Sequence, residues 1–467
     1  METLERLLEQ TGCAADPRLR AHLLAQLVCL GPHTITGLLT TLGTQFQDWS
    51  ADYRLYTRAR FDPQALFAVA RQCVEQALPT DQPLVVALDD SILRKRGHKI
   101  PATAWRPDPL GAPFQVSFVW AQRVLQFSAV LPEGGEGAAR TVPIDFALAP
   151  TPARPRRNAP EAEQQAYRQE QQRLNINTQA LGRLQLLRAQ RDQEQQHRPL
   201  WLAVDGRFTN RTFLKPLPAS VVVIGRIRGD AKLHEAVEPG PAAGGGRPRW
   251  YGAALPTPEE LRQDERVPWQ EVVAFAAGKR HGFRIKTLER VRWRVTGAMR
   301  TLRLIVIAPL AYRPHKGARL LYRKPAYLIC TDPTLALAQV LQAYLWRWGI
   351  EVNFREEKSL LGVGQARVRN PQAAARVPAS AVAAYALLLC AAAQLHPAPQ
   401  LPLPAWRRHP PATHCTTAML INQLRHELWY DSLTRSSCDF TPSQGPDQKS
   451  QKPDPNLGSA VFYAAVS

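Results

Sequence analysis

The chain has 467 residues, room for roughly two or three domains, and 45% of them are hydrophobic, which supports a substantial core. Its 59 Lys and Arg against 39 Asp and Glu leave a formal charge of +20. That is the balance of a protein that meets a polyanion, because neutralising phosphates releases counterions and steers encounter. No apolar run reaches the roughly 18 residues of a membrane span. The opening METLERLLEQTG has no secretory pattern, and seven scattered cysteines without a Cys-x-x-Cys pair argue against a disulfide framework or zinc site. A cytoplasmic protein without a membrane partner is expected.

Residues 1 to about 80 carry helical spacing, with Leu4, Leu7 and Leu8 followed by stripes through Leu23–Leu30 and Ala65–Val74. Pro83-Leu-Val-Val-Ala-Leu-Asp89 then reads as a buried strand of an α/β sheet ending in two carboxylates, Asp89 and Asp90. Gln115–Ala121 and Val124–Leu131 read as two strands split by a polar Gln-Arg, a hairpin. A Gln/Glu/Arg-rich helix runs to about 190. Pro199-Leu-Trp-Leu-Ala-Val-Asp205 is a second buried strand ending in an acid.

From about 220 to 335 the texture is mostly β, with strands at Val221–Ile227, Phe283–Val295, Leu302–Ala308 and Ala326–Cys330 and a Gly/Pro-rich loop, PGPAAGGGRPR, between the first two. Arg284, Lys286, Arg290, Arg292 and Arg294 alternate, which predicts a strand with one cationic face. A helix carrying Tyr344 to Lys358 follows, then an Ala-rich helix from about 375 that reads as buried. A Pro-rich linker spans 396–411, a final amphipathic helix about 414–433, and a polar tail from about 440 reads as disordered.

Residues of a helix turn by about 100° each, so Tyr344, Arg347, Glu351 and Lys358 share roughly a 60° arc. An acid, two cations and a phenol suit a metal ion beside a phosphate backbone; the competing reading is a solvated face with intrahelical ion pairs. Carboxylates at two strand ends, Asp89 and Asp205, joined by Glu351 from a helix, can hold two hard cations, Mg²⁺ or Mn²⁺, although a strand-end Asp also commonly caps a turn. Only one of Asp89 and Asp90 can face such ions from a regular strand, and Asp89, directly after the apolar run, is favoured. The Arg94-Lys-Arg96 cluster with Lys99 reads equally as a DNA contact or a solvated loop.

These residues resemble a family. Tyr344, Arg347, Glu351 and Lys358 reproduce the Tyr-x2-Arg-x3-Glu-x6-Lys signature of transposases of the IS4 insertion-sequence group, while Leu88-Asp-Asp-Ser91 and Val204-Asp-Gly-Arg-Phe208 resemble its two Asp motifs. Ser91 stands where the family often has Thr. The resemblance spans roughly 1–395. It implies an α/β fold: an RNase H-like catalytic core with a large β-rich insertion, a helical N-terminal domain and a helical C-terminal part. The corresponding boundaries are 1–80, 81–220, 221–335 (insertion), 336–395 (remainder of the core) and 396–467.

By the same resemblance Asp89, Asp205 and Glu351 are the catalytic metal ligands for two Mg²⁺ (or Mn²⁺) ions, and Tyr344, Arg347 and Lys358 bind DNA phosphates. The implied reaction is metal-dependent cleavage at transposon ends and strand transfer. The partners are terminal inverted repeats and target DNA, with a homodimer on paired ends. Relatives hold a flipped base on an aromatic of the insertion, for which Trp293 is a candidate, with a core tryptophan the favoured reading. A DNA-binding protein that no longer transposes and a nuclease that cuts without joining are the alternatives.

Overall fold

The computed structural model describes residues 1–12, 16–58, 60–112, 114–133, 137–238, 250–297, 300–395 and 415–435. Five helices lead: α1 (Glu2–Gln10), α2 (Pro17–Val28), α3 (Ile35–Thr41), α4 (Ser50–Thr57) and α5 (Pro63–Ala77). Their starts are written locally. Asp16 and Asp62 accept from the first amides of α2 and α5, and each is followed by a proline whose missing N–H costs nothing there.

The chain then enters the sheet with β1 (Leu84–Arg94), β2 (Thr103–Pro107), β3 (Phe118–Pro132) and β4 (Ala139–Leu148). Helices α6 (Glu161–Arg173) and α7 (Ile176–Gln193) lead to β5 (Leu200–Val204), the short α8 (Arg211–Leu214), β6 (Val221–Arg226), β7 (Leu233–Ala236) and β8 (Tyr251–Ala254). Then come α9 (Pro258–Gln263), β9 (Gln270–Ala276), β10 (Lys279–Trp293), β11 (Leu302–Ile307), the two-residue pair β12 (Ala311–Tyr312) and β13 (Leu321–Tyr322), and β14 (Ala326–Cys330). Helices α10 (Leu337–Trp346), α11 (Gly349–Ser359), α12 (Pro371–Ala393) and α13 (Thr417–Arg435) complete the described chain.

Twelve strands form one mixed sheet in the order β2-β3-β1-β5-β6-β14-β11-β10-β7-β8, with β4 beside β3 and β9 beside β10. β1, β5 and β6 run parallel, and every other pairing is antiparallel. The β-rich stretch after residue 220 therefore continues the sheet that β1 and β5 begin.

Strand alternation sorts β1 between two layers. Leu84, Val86 and Leu88 join a core with α1, α2, α5, α7 and α12, whereas Val85 packs with residues of α10 and Ala87 with Ile350 and Phe354 of α11. Each fully buried aliphatic there contributes about 1.5–3 kcal/mol. The chain is thus mixed α/β, with helices on both faces of a central parallel segment. Helix α12 is long and apolar enough to cross a membrane, with a mean hydropathy of 1.6, yet 89% of that window is buried among α1, α2, α4, α5 and β4. Its many alanines let those neighbours approach closely.

Three expectations change. Phe118–Ala121 and Val124–Leu131 are not a hairpin but parts of one 15-residue strand, β3, and Gln115–Ser117 lie before it. Its polar Gln122-Arg123 step stays in the strand because each side chain finds a distant partner: Gln122 donates to Pro101 O at 2.8 Å and Arg123 to Asp90 at 2.8 Å. β2 and β4 supply the true hairpin partners.

The cationic face of β10 does not exist as a continuous surface. A bulge between Leu288 and Val291, with Arg290 at φ 55°, breaks the alternation. Lys286 is buried and donates to the carbonyls of Leu261, Arg262 and Asp264, and Arg292 is buried against those of Val237 and Trp250. Four of the five cations lie over aromatic rings: Arg284 and Lys286 over Trp269, Arg292 over Trp250, and Arg294 over Tyr251.

Tyr344 to Lys358 is not one helix either. The Gly/Pro-rich loop, the Pro-rich linker and the polar tail lie outside the described residues.

Candidate active site

Asp89 and Asp205 come together through sheet register. Leu88 pairs with Val204 across parallel β1 and β5, and each acid is the next residue. Parity also decides which way they face. Asp89 continues the series Val85, Ala87, and Asp205 continues Trp201, Ala203, so both turn to the side covered by α10 and α11. Asp90 goes the other way, where its carboxylate takes Arg123 Nε at 2.8 Å and Arg207 Nε at 3.2 Å.

The helical half of the site is bent. α10 ends at Trp346 and α11 begins at Gly349, and the turn between them is tightened by i→i−3 bonds from Arg347, Trp348, Ile350 and Glu351 to Tyr344, Leu345, Arg347 and Trp348. Tyr344 thus closes α10, Arg347 sits in the turn, and Glu351 and Lys358 lie on α11. Gly349 is needed at the bend: a Cβ there would stand 2.5 Å from Thr141 Cγ2 of β4. The glycine lets α11 lie directly on the sheet.

Arg347 joins the two halves. Its Nη1 donates to Asp89 Oδ2 at 3.0 Å and its Nη2 to Glu351 Oε1 at 3.0 Å. Its guanidinium also lies 5.9 Å from the centre of the Tyr344 ring. The remaining donor, Nε, is buried without a partner. Lys358, on the same helix, donates to Ser91 Oγ at 2.6 Å, two residues beyond Asp89.

The electrostatics follow from burial and crowding. Burial and then the Asp205 charge push the Asp89 carboxyl up to about 7, against the pull of Arg347. Burial also raises the Tyr344 phenol, while Arg347 and Arg226 oppose it. The Lys358 ammonium is lowered by burial despite the nearby Glu357.

A divalent cation would relieve the Asp89–Asp205 repulsion, and the donors are the hard oxygens that Mg²⁺ or Mn²⁺ takes. The Asp pair fits such an ion. The third acid is held apart by its bond to Arg347, and among the described residues no group of three His, Cys, Asp or Glu is gathered closely enough to hold a metal.

All six residues expected at the site converge on this region. Sequence reasoning missed three supporting groups: Ser91, which receives Lys358, and Arg123 and Arg207, which hold Asp90. Ser91 and Arg207 lie inside the two Asp motifs, so the motifs were the available signal; Arg123 had none.

Trp293 is half-buried, packs against the main core, and also lines a cleft of about 580 Å³ with Gly206, Thr209, Arg226, Arg228 and Tyr327, beside Asp205. Of the basic cluster, Arg94 pairs with Asp108 and Lys95 donates to Ala366 O at 2.9 Å, while Arg96 and Lys99 are exposed.

Residues 6–301, more than half of the chain, match the family described as DDE superfamily endonuclease. The match includes Asp89 and Asp205 and ends before Glu351. No curated protein matches the chain.

Proposed function

Because the chain belongs to the DDE superfamily endonuclease family, whose members act on DNA with divalent metal ions, we propose that it is an insertion-sequence transposase of the IS4 group. In this reading it has an RNase H-like core, cleaves the terminal inverted repeats of its own element, and joins the freed ends to target DNA. The observation that carries the proposal is Arg347 bridging Asp89 and Glu351 while Asp205 stands beside Asp89. Acids from two strands and a helix are thereby brought to one cationic fork.

Asp89, Asp205 and Glu351 would hold the ions, two in number by resemblance, and bound metal would supply an activated oxygen nucleophile and stabilise the leaving oxygen. Arg347 binds phosphate through its fork, and its unpartnered Nε offers a further donor. Lys358 adds a point charge, and Tyr344 a neutral donor. Glu351 would have to leave its bond to Arg347 to share an ion with the aspartates.

In this reading residues 81–220 and 336–395 are the catalytic core, 221–335 the insertion, whose first strand β6 extends the parallel segment beside β5, 1–80 a helical lead domain, and 396–467 a C-terminal part. The cleft beside Trp293 is where a flipped end base would stack. A homodimer on paired ends completes the reading, by analogy with the group.

The test is cleavage of DNA carrying the element's ends with Mg²⁺. Glu351→Gln and Asp205→Asn should each lose nicking while retaining end binding; undiminished nicking in both would remove the triad. The bond that ties Glu351 to Arg347 favours one second reading, a DNA binder without turnover. Such a protein would shift end DNA and never nick it, even with Mn²⁺. If nicking occurs but pre-cleaved ends give no joined product, the protein is a nuclease instead.

A further inference from the structure

A large open groove, about 1180 Å³, lies apart from the acids, between the helical lead segment and the segment that joins α11 to α12. One wall is the chain from Cys29 to Thr36, between α2 and α3; the other is 364–370; the floor is the end of β1 and the residues after it. Six cations and no carboxylate line it.

Two of those cations build the walls. Arg425 is buried and donates to the carbonyls of Val28 and Cys29, and Lys95 donates to that of Ala366. Three others, Arg96, Arg367 and Arg369, are exposed and make no ion pair among the described residues.

Two further observations show that the groove is shaped for a ligand. His33 is 8% exposed, lines the groove, and its Nε2 has no partner. A buried polar atom in that state is costly unless something fills the site. At the rim Tyr53 packs edge-on against the exposed Trp49. A channel lined by cations and no carboxylate is how a phosphodiester backbone is gripped without sequence reading.

The groove is continuous with the catalytic residues. Ser359 lines it, one residue beyond Lys358, and Lys358 reaches Ser91 beside Asp89. We propose that the groove carries the phosphodiester backbone of the DNA leading away from the cleavage point, with Arg96, Arg367 and Arg369 as its phosphate contacts. This rests on reading the acids as a DNA-cleaving site. In this reading the Arg96 loop is the floor of a defined channel and Arg367 and Arg369 stand on its wall.

The test reads binding without cleavage, so it stands or falls separately from the acid triad. Affinity of the full chain for a fluorescent mixed-sequence duplex is measured without divalent metal over a range of salt. Each phosphate contact steepens log K against log[salt] by about 0.9. The triple variant Arg96→Ala, Arg367→Ala, Arg369→Ala should flatten that slope by about 2–3 and weaken binding at least tenfold at low salt. An unchanged slope in a folded variant overturns the proposal. So does a loss confined to a single-stranded RNA probe, which would make RNA the ligand.

Hydrogen exchange of the unmodified protein with the duplex supplies a second measurement should the variant misfold. Slowed exchange at 31–36 and 364–370 is expected; protection on α11 without protection there overturns the assignment.

Discussion

Arg347 donates to Asp89 across 258 residues of chain, and the same guanidinium donates to Glu351 four residues on. A cation from the turn between two helices thus sits where two carboxylates, from a strand and a helix, face each other. Burial, and after it the charge of a third acid, Asp205, push the Asp89 carboxyl up to about 7. The arrangement compensates partly buried acids with protein charge, and a divalent ion can take over that task.

Removing the arginine should reveal the exchange. Arg347→Ala in metal-free buffer is expected to cost about 1–3 kcal/mol, because Asp89 loses its charged partner in a half-buried setting. Calcium, which binds hard oxygens, should then raise the melting temperature of the variant by more than that of the parent. Differential scanning fluorimetry with and without calcium reads this. Equal calcium shifts in the two proteins would show that Arg347 and metal do not share a site.

The two adjacent aspartates should separate cleanly. Asp89→Asn is expected to reduce end cleavage more than about a hundredfold, the scale of losing one group aimed at transition-state charge. Asp90→Asn should keep most of the activity and instead lower stability by about 1–3 kcal/mol, since Asp90 holds Arg123 and Arg207. Cleavage assays beside urea unfolding distinguish them. The opposite assignment of effects would place Asp90 at the metal.

Gly349→Ala tests whether the approach of α11 to the sheet positions Glu351. The new methyl meets Thr141, and overpacking of this kind costs about 1–3 kcal/mol. Displacing α11 should depress cleavage while DNA binding persists. A variant with parental cleavage would mean that the position of α11 is not critical.

Glu357, fully buried on the same helix, accepts from Gln126 Nε2 at 2.8 Å, and burial pushes its carboxyl up to about 8. The folded protein therefore holds a proton that the unfolded chain releases near pH 4.5. Stability from this group is complete below that pH, falls as pH rises toward 8, and stays low above it. Glu357→Gln mimics the protonated form and should flatten that decline. Asp89, displaced in the same direction, leaves a residual slope. Denaturant midpoints between pH 5 and 8 measure it, and identical slopes in variant and parent would refute the account.

The strand ends were legible because a run such as Leu84–Leu88 must be buried on both faces, and whatever polar residue follows it stands at a sheet edge. Helix starts are also written in local chemistry, since Asp16, Asp62 and Asn370 satisfy amides two or three residues away. The strand β10 was legible, but its face was not: its lysine and arginines read as one cationic side, whereas the partners of Lys286 are carbonyls 22–25 residues earlier. Nothing in the alternation records them. The Gln122-Arg123 step misled for the same reason, its acceptors lying on other segments.

The Tyr344–Lys358 pattern shows where local information ends. Residue identity and spacing by themselves determined that an acid, two cations and a phenol would lie near one another, because three- and four-residue steps bring side chains together in any helical turn. Tertiary structure alone decided the rest. It bent the helix at Arg347, used the bare Cα of Gly349 to press α11 onto β4, and set Asp89 rather than Asp90 toward that helix through strand parity. Bond geometry within a segment is written by neighbouring residues, whereas which carboxylate an arginine meets depends on packing between segments hundreds of residues apart.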